Sequence, residues 1–208
     1  MRACLIAFTC GLMGLLVGCA SRLPPALPDA SKTLSTLMAD SDEGFLKRNP
    51  IGAVYRGDLR YADQHGDYLS DAFIAAERAA AHDDLARLGS VDRAALPPGE
   101  KLAFDTFRWQ RQTDLQRLSA PYLSFAFRLK PDHFDGWHQF FPDFSSGQGA
   151  APYRTPKDYA DGLSRIDGFV VWLDAARVRL GEGSAQGVVH PRFVAERMIV
   201  QFDTLAGQ

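Results

Sequence analysis

The longest periodic run of apolar positions follows Thr155. Thr155 is a good N-cap, and Pro156 suits the first helical position because its missing N–H would have no helical acceptor. The pattern predicts a helix over 156–180, ended by Gly181 and Gly183. The apolar residues are spaced by four and three positions, which puts them on one face that we expect to be buried. These residues are Tyr159, Leu163, Ile166, Val170 and Leu173, widened by Phe169, Val171 and Trp172.

Further helices are predicted on both sides of this segment from apolar periodicity and from capping residues. They run from a cap at Ser31 to Pro50, from a cap at Ser70 to Gly89, over 100–118, over 132–141, and from His190-Pro191 to Leu205. No stretch alternates with the period of a strand. The predicted fold class is therefore all-α, in an antiparallel helical array.

The helix predicted over 100–118 should separate its apolar and charged residues onto opposite faces. The positions predicted to be buried are Leu102, Phe104, Phe107, Leu115 and Leu118. The positions predicted to face water are Lys101, Arg108, Arg111, Asp114 and Arg117. The acid pair Asp83-Asp84 is likewise predicted to lie on a solvated helix face.

Residues 49–69 are predicted to be irregular, because glycines and tyrosines alternate there without helical spacing. Two interpretations of this segment stay open. It is a loop that packs on the domain through Tyr55, Tyr61 and Tyr68, or it lines a cleft, since a tyrosine combines an apolar ring with a polar tip.

The first nineteen residues carry the strongest local signal. Arg2 precedes an apolar run over 3–17, which is too short for a membrane-spanning helix and is typical of a secretory signal. Leu16-Val17-Gly18-Cys19 then resembles a bacterial lipobox, in which the cysteine is lipidated and becomes the first residue. We therefore predict a lipoprotein signal peptide over 1–18 and a membrane anchor on Cys19. The alternatives are an ordinary secretory signal and a buried apolar N-terminus.

The residues after Cys19 refine this prediction. Ala20 is not the aspartate that often marks retention in the inner membrane, which favours the periplasmic side of the outer membrane within the cell envelope. Residues 19–30 contain three prolines and form a predicted tether, followed by a helical domain over 31–208. Cys4, Cys10 and Cys19 are the only cysteines, so the mature chain would have no disulfide and no cysteine-based zinc site.

Composition excludes one class of function. The chain has 208 residues, 46 % of them hydrophobic, and a formal net charge of −2. A globular core is expected at this composition. A nucleic-acid-binding protein would normally show a basic patch or stripe, and this sequence shows none, so no binding to nucleic acid is predicted.

Candidate functional residues are few. His133 and His138 are five positions apart, whereas two zinc ligands on one helix normally stand four apart. They are predicted to be ordinary histidines in an aromatic segment, with a metal site and a substrate-contacting role as alternatives. Residues that could line a cleft are His133, Trp137, His138, Tyr153 and Arg154. No His-Glu-x-x-His, Gly-x-Ser-x-Gly or phosphate-binding glycine loop occurs, so no catalytic residue is assigned.

Several motifs together resemble a known family. They are Ser145-Ser-Gly-Gln, Tyr153, Asp158-Tyr159-Ala-Asp-Gly-Leu-Ser-Arg-Ile, the Gly181–Gly187 turn and His190-Pro191 with the helix that follows. From about Leu34 onward the chain resembles the bacterial domain of unknown function 885 family, whose members are exported and often lipidated. The resemblance implies an all-helical fold similar to that of zinc peptidases of the neurolysin type.

In that family a His-Glu-x-x-His helix and a downstream glutamate hold zinc, and the motif's own glutamate acts as general base. No position of this sequence matches those residues. The resemblance therefore implies that the chain is an incomplete N-terminal portion of a larger hydrolase. Zinc and the peptide substrate would then belong to the C-terminal part, and whether this chain is an enzyme stays open. The alternative is a free-standing binding or structural lipoprotein without catalytic activity.

Overall fold

The computed structural model describes residues 29–120, 122–123, 128–129 and 132–207. Within these ranges the chain forms seven α-helices, one short 3-10 turn and no strand, so the predicted all-α class is confirmed. The predicted signal peptide, Cys19 and nearly all of the predicted tether lie outside the described residues.

The helices differ in length from six to thirty residues. They are α1 Ala30–Arg48, α2 Pro50–Tyr55, α3 Asp71–Leu88, α4 Pro98–Arg117, α5 Trp137–Phe144, α6 Pro156–Ala185 and α7 Arg192–Ala206, with the 3-10 turn Arg93–Ala95 before α4.

α1, α3 and α4 pack around the first of two hydrophobic cores. The buried members of this core are Leu34, Leu37, Leu88, Val91, Leu96, Phe104 and Phe107. Polar contacts also join these helices. Arg48 Nε of α1 is 2.5 Å from Glu77 Oε1 of α3, and Arg78 of α3 donates to the Leu118 carbonyl after α4 at 2.7 Å.

Asp84 and Arg111 were both predicted to face water, and the structure shows that neither does. Asp84 is only 5 % exposed. It accepts a 2.6 Å hydrogen bond from Ser41 Oγ and lies 3.5 Å from Arg111 Nη1. The prediction was wrong because helical register outweighs polarity here. Asp84 follows Ala81 by three positions and precedes Leu88 by four, so it shares the inward face with both.

Leu102 is the converse error. It was predicted to be buried and is 69 % exposed, while Phe104 and Phe107 are buried. Arg111 stands four positions after Phe107 and therefore lies on the inward face, whereas Leu102 lies nearly opposite Phe104 around the helix.

The second core joins α2, the segment between α2 and α3, α5 and α6. Its buried members are Ile51, Val54, Ala62, Leu69, Phe141, Phe144, Ala151, Phe169, Trp172 and Ala176. The segment 49–69, predicted to be wholly irregular, begins with helix α2, because Pro50 starts a new helix as readily as it stops α1.

The face that α6 buries differs from the predicted one. Tyr159, Leu163, Ile166 and Val170 are 45–68 % exposed. The buried positions are Asp161, Gly162, Arg165, Phe169, Trp172, Ala176 and Gly183. This second row is spaced by the same four and three positions from 165 to 176, so periodicity alone could not separate the two faces.

Two glycines explain why α6 buries this face. A Cβ at Gly162 would lie 2.6 Å from Tyr153 Oη, and a Cβ at Gly168 would lie 2.5 Å from His65 Cβ. Only glycine therefore allows the neighbouring segments to approach the helix this closely.

Both ends of α6 are capped. At the N-terminus the predicted cap is confirmed: Thr155 Oγ1 accepts from Asp158 N at 3.2 Å, and Asp158 Oδ2 accepts from Thr155 N at 2.9 Å. At the C-terminus the helix passes through Gly181 and ends at Ala185, not at Leu180.

The real stop signal is Gly187, which has a φ of 72°. Its N–H bonds to the Ser184 carbonyl at 3.2 Å, and the Val188 N–H bonds to the Gly183 carbonyl at 2.8 Å. These two bonds form a Schellman motif.

The first residues of two other helices also differ from the predicted ones. α1 begins at Ala30, because Asp29 supplies the cap by accepting from Ser31 N at 3.0 Å. α5 begins at Trp137, later than predicted, because Asp132 Oδ1 accepts from Phe134 N and Asp135 N at 2.7 and 2.8 Å. These bonds hold residues 132–135 in a turn.

We predict opposite effects for two glycine-to-alanine changes in α6. Gly168→Ala should destabilise the chain by about 1–3 kcal/mol, because the contact with His65 outweighs alanine's better helix propensity. Gly181→Ala is the matched control: no atom lies within 4 Å of its added Cβ. It should stabilise the chain by about 0.5–1 kcal/mol. Urea unfolding measures both, and a stabilising Gly168→Ala would contradict the described packing.

Candidate functional site

The second core encloses a buried histidine. His65 is 2 % exposed and follows Ala62, on the segment between α2 and α3. Four aromatic rings surround its imidazole at centroid distances of 5.1–5.9 Å: Tyr68, Trp137, Phe141 and Phe169. Three separate parts of the chain therefore meet at this one side chain.

The four surrounding rings favour the neutral form of His65. Burial lowers the pKa of His65, and the hydrogen bond between its Nδ1 and the Gly66 carbonyl at 3.0 Å opposes that shift only in part. Its Nε2 is buried without a hydrogen-bond partner among the described residues. Burial also raises the pKa of the neighbouring Tyr68, whose ring stacks on Trp137 at 5.3 Å.

Arg165 of α6 is another buried polar residue at this core, with 1 % of its surface exposed. Its Nη1 donates to the Ala62 carbonyl, and its Nη2 lies 3.4 Å from Tyr153 Oη. The guanidinium also lies over the rings of Phe144 and Tyr153, with its carbon 5.4 and 5.9 Å from their centroids. Arg165 thus connects α6 to the 56–70 segment, to α5 and to the loop before α6.

The structure separates the five predicted cleft residues into three places. Trp137 and Tyr153 belong to the region around His65 and Arg165. Arg154 lies on the exposed turn before α6, where its backbone N–H donates to Asp158 Oδ2 at 2.8 Å. Arg154 is exposed, whereas His65 and Arg165 are buried.

His133 and His138 meet at a different place, the contact of α5 with α7. His138 Nε2 lies 3.2 Å from Gln201 Oε1, and Gln201 Nε2 donates to the His133 carbonyl at 3.0 Å. The His138 ring is 4 % exposed and stacks on Phe202 at 4.6 Å. Burial lowers the pKa of His138.

One glutamine side chain bridges the two histidines, through the ring of one and the carbonyl of the other. Across the described parts of the chain, no group of three or more His, Cys, Asp or Glu residues has the geometry to hold a metal ion.

Open cavities lie elsewhere. An apolar groove of about 340 Å³ lies between the end of α6 and α7, where Leu180, Val188, Met198, Ile199 and Phe202 contribute to its wall. A more polar cleft of about 400 Å³ lies between α1 and α4, with Phe45, Arg56 and Arg111 on its wall. His65 and Arg165 line neither of these two cavities, and both are closed off from solvent.

Sequence reasoning missed both central residues. Arg165 is a charged residue in register with Phe169, Trp172 and Ala176, and Gly162 and Gly168 mark a close approach on the neighbouring positions. Those signals were present. Nothing in the sequence around His65 distinguishes it from a loop histidine, because its cage is assembled from distant segments.

The fold and this cluster define an all-helical protein with a closed aromatic interior. The chain belongs to the DUF885 family, described as bacterial proteins of unknown function, whose model matches residues 50–208. The match confirms the family resemblance and begins within α2. The searches of curated proteins and of solved structures gave no match. Of the helices that the structure describes, none is long and apolar enough to cross a membrane.

We predict that Arg165 is a main stabilising contact. Arg165→Ala should lower the free energy of unfolding by about 3–5 kcal/mol, because it leaves a cavity and an unpaired Ala62 carbonyl. Arg165→Met fills the space without burying a charge and should cost about 1–3 kcal/mol. Arg177→Ala on the same helix is the control, because the Arg177 side chain is 81 % exposed. Urea denaturation that ranks Arg165→Ala with Arg177→Ala would contradict this role.

We also predict an acid-sensitive stability. The unfolded chain binds protons on His65 and His138 below about pH 6.5, where the folded chain, with both pKa values lowered, does not. Stability should therefore be complete above pH 6.5 and fall as the pH drops below it. His65→Leu should flatten this fall between pH 7 and 5.5. Urea midpoints measure the slopes; an unchanged slope in His65→Leu would contradict the account.

Proposed function

We propose that these helices form the non-catalytic scaffold of a lipid-anchored cell-envelope protein that resembles a zinc-metallopeptidase-like hydrolase. In this proposal the zinc ligands, the general base and the peptide-binding residues lie on a further part of the full-length protein. The described helices support that part and connect it, through the tether, to the membrane.

One observation carries the proposal. α6 exposes Tyr159, Leu163, Ile166 and Val170 along one face, beside a core that is already filled on its other side. Soluble proteins rarely leave a contiguous apolar row of this kind uncovered unless it meets another surface. Membership of a family whose model matches residues 50–208 supports the same conclusion, because this helix lies within the match.

The closed cluster around His65 and Arg165 suits a scaffold. Each of these residues fixes distant segments to α6, and neither contacts solvent. A catalytic acid or base must reach its substrate within hydrogen-bond distance. The cluster therefore contributes rigidity to the proposed hydrolase and no step of its chemistry.

Size and metal content of the native protein test the proposal. An antibody against the purified chain should detect a protein well above 22.9 kDa in the envelope fraction of the source cell. That protein should carry about one zinc per chain after dialysis. The purified 208-residue chain, tested in parallel, should hold none. A native protein of 22.9 kDa or less would favour the free-standing binding or structural lipoprotein instead, and one zinc on the short chain would contradict the proposed division of roles.

The anchor has its own test. We predict that Cys19 is lipidated after cleavage of Gly18–Cys19, because Leu16-Val17-Gly18-Cys19 ends the apolar run. Expressed in a Gram-negative host with a radiolabelled fatty acid, the wild type should carry label and sediment with membranes. Cys19→Ala should do neither, and Cys10→Ala is the matched control that should behave as wild type. Equal labelling of wild type and Cys19→Ala would disprove the anchor.

A further inference from the structure

The exposed row on α6 has a definite shape. Tyr159, Leu163, Ile166 and Val170, here called the outer stripe, are 58, 68, 45 and 52 % exposed. Their 4, 3, 4 spacing continues through the half-buried Leu173 and ends at Arg177. A row with a mean spacing of 3.5 residues is the seam with which one helix packs along another.

One edge of the outer stripe is acidic. Asp167 and Asp174 are seven residues apart, two helical turns, so both lie on the same edge of the row, away from the core. Asp167 is exposed and makes no hydrogen bond or ion pair within the part of the chain that the structure describes. Asp174 has one loose contact, 4.0 Å from Arg177, with both side chains more than 70 % exposed.

From this arrangement we infer that the outer stripe binds an amphipathic helix with basic residues along one edge. The apolar face of that helix would cover Leu163, Ile166 and Val170. Two Lys or Arg residues one heptad apart would face Asp167 and Asp174, as charged residues flanking a coiled-coil seam do. The inference rests on the proposed function, in which another segment covers this face, and specifies the chemistry of that segment.

A second copy of the chain does not fit this edge. In a two-fold antiparallel pair in which Leu163 faces Leu173 of the other copy, position 167 would lie opposite position 169, so the two Asp167 side chains would approach each other. Like charges would then meet along the seam. A parallel pair would place the two aspartates opposite Gly162, Phe169 and Ala176, which offer no cation.

Two synthetic peptides test the inference on the full 208-residue chain, held in phosphatidylcholine nanodiscs. Both peptides are 21-residue helices with leucine at the seam positions. One has lysine at the flanking positions and the other has glutamate. Fluorescence anisotropy measures their dissociation constants, with empty nanodiscs as the blank.

The wild type should bind the lysine peptide about three- to tenfold more tightly than the glutamate peptide, as expected for two exposed ion pairs. The double variant Asp167→Lys/Asp174→Lys should reverse this preference. Asp83→Lys/Asp203→Lys changes the net charge equally at two other exposed positions and should leave it intact. Leu163→Asp/Ile166→Asp should weaken binding of both peptides at least tenfold without unfolding the chain, because both positions are exposed.

Each other outcome overturns the inference. Equal binding of the two peptides would show that the acidic edge does not select its partner. A preference lost equally in Asp83→Lys/Asp203→Lys would show that only net charge matters. Binding of neither peptide, while the native protein is larger than 22.9 kDa and contains zinc, would refute the basic-edged helix and leave the proposed function standing.

Discussion

One buried arginine decides how the long helix sits in this protein. Arg165 donates to the Ala62 carbonyl and lies over the Phe144 ring, so it fixes α6 to the segment after α2 and to α5. No carboxylate contacts its guanidinium within the described residues. A carbonyl, a hydroxyl and two aromatic rings offset part of the cost of burying the charge, and its Nε has no hydrogen-bond partner in that part of the chain. Because this face turns inward, the outer stripe turns outward.

The sequence predicted the elements better than the faces. The cap at Thr155 and Asp158 was correct because its bonds are local. The predicted buried face was wrong because rows at 159–170 and 165–176 have the same spacing, and hydrophobicity favours the row with more large aliphatic residues. Asp84 and Arg111 show the same error: polarity alone predicts that they are solvated, although both are in register with core positions and each has a partner on another helix. The aromatic rings that surround His65 could not be predicted from the sequence, because they come from positions spread between 68 and 169.

The orientation of α6 bears on function. A helix that buries a charge and exposes leucine, isoleucine and valine departs from the usual pattern of a surface helix. The buried row gives the protein its rigid interior, with Gly162 and Gly168 permitting close contact. The exposed row remains available to another helix. The proposed scaffold of a larger envelope hydrolase would need both properties.

Hydroxyl-radical footprinting of the purified chain, read by tandem mass spectrometry, tests most directly which face of α6 is buried. Oxidation of Leu163 and Ile166 in the folded chain should approach the rate measured in urea. Oxidation of Phe169 and Trp172 should be strongly suppressed until the chain unfolds, because these rings are 7 and 4 % exposed. Protection of Leu163 and Ile166 together with oxidation of Phe169 and Trp172 would mean that the opposite face packs inward, and would contradict the account.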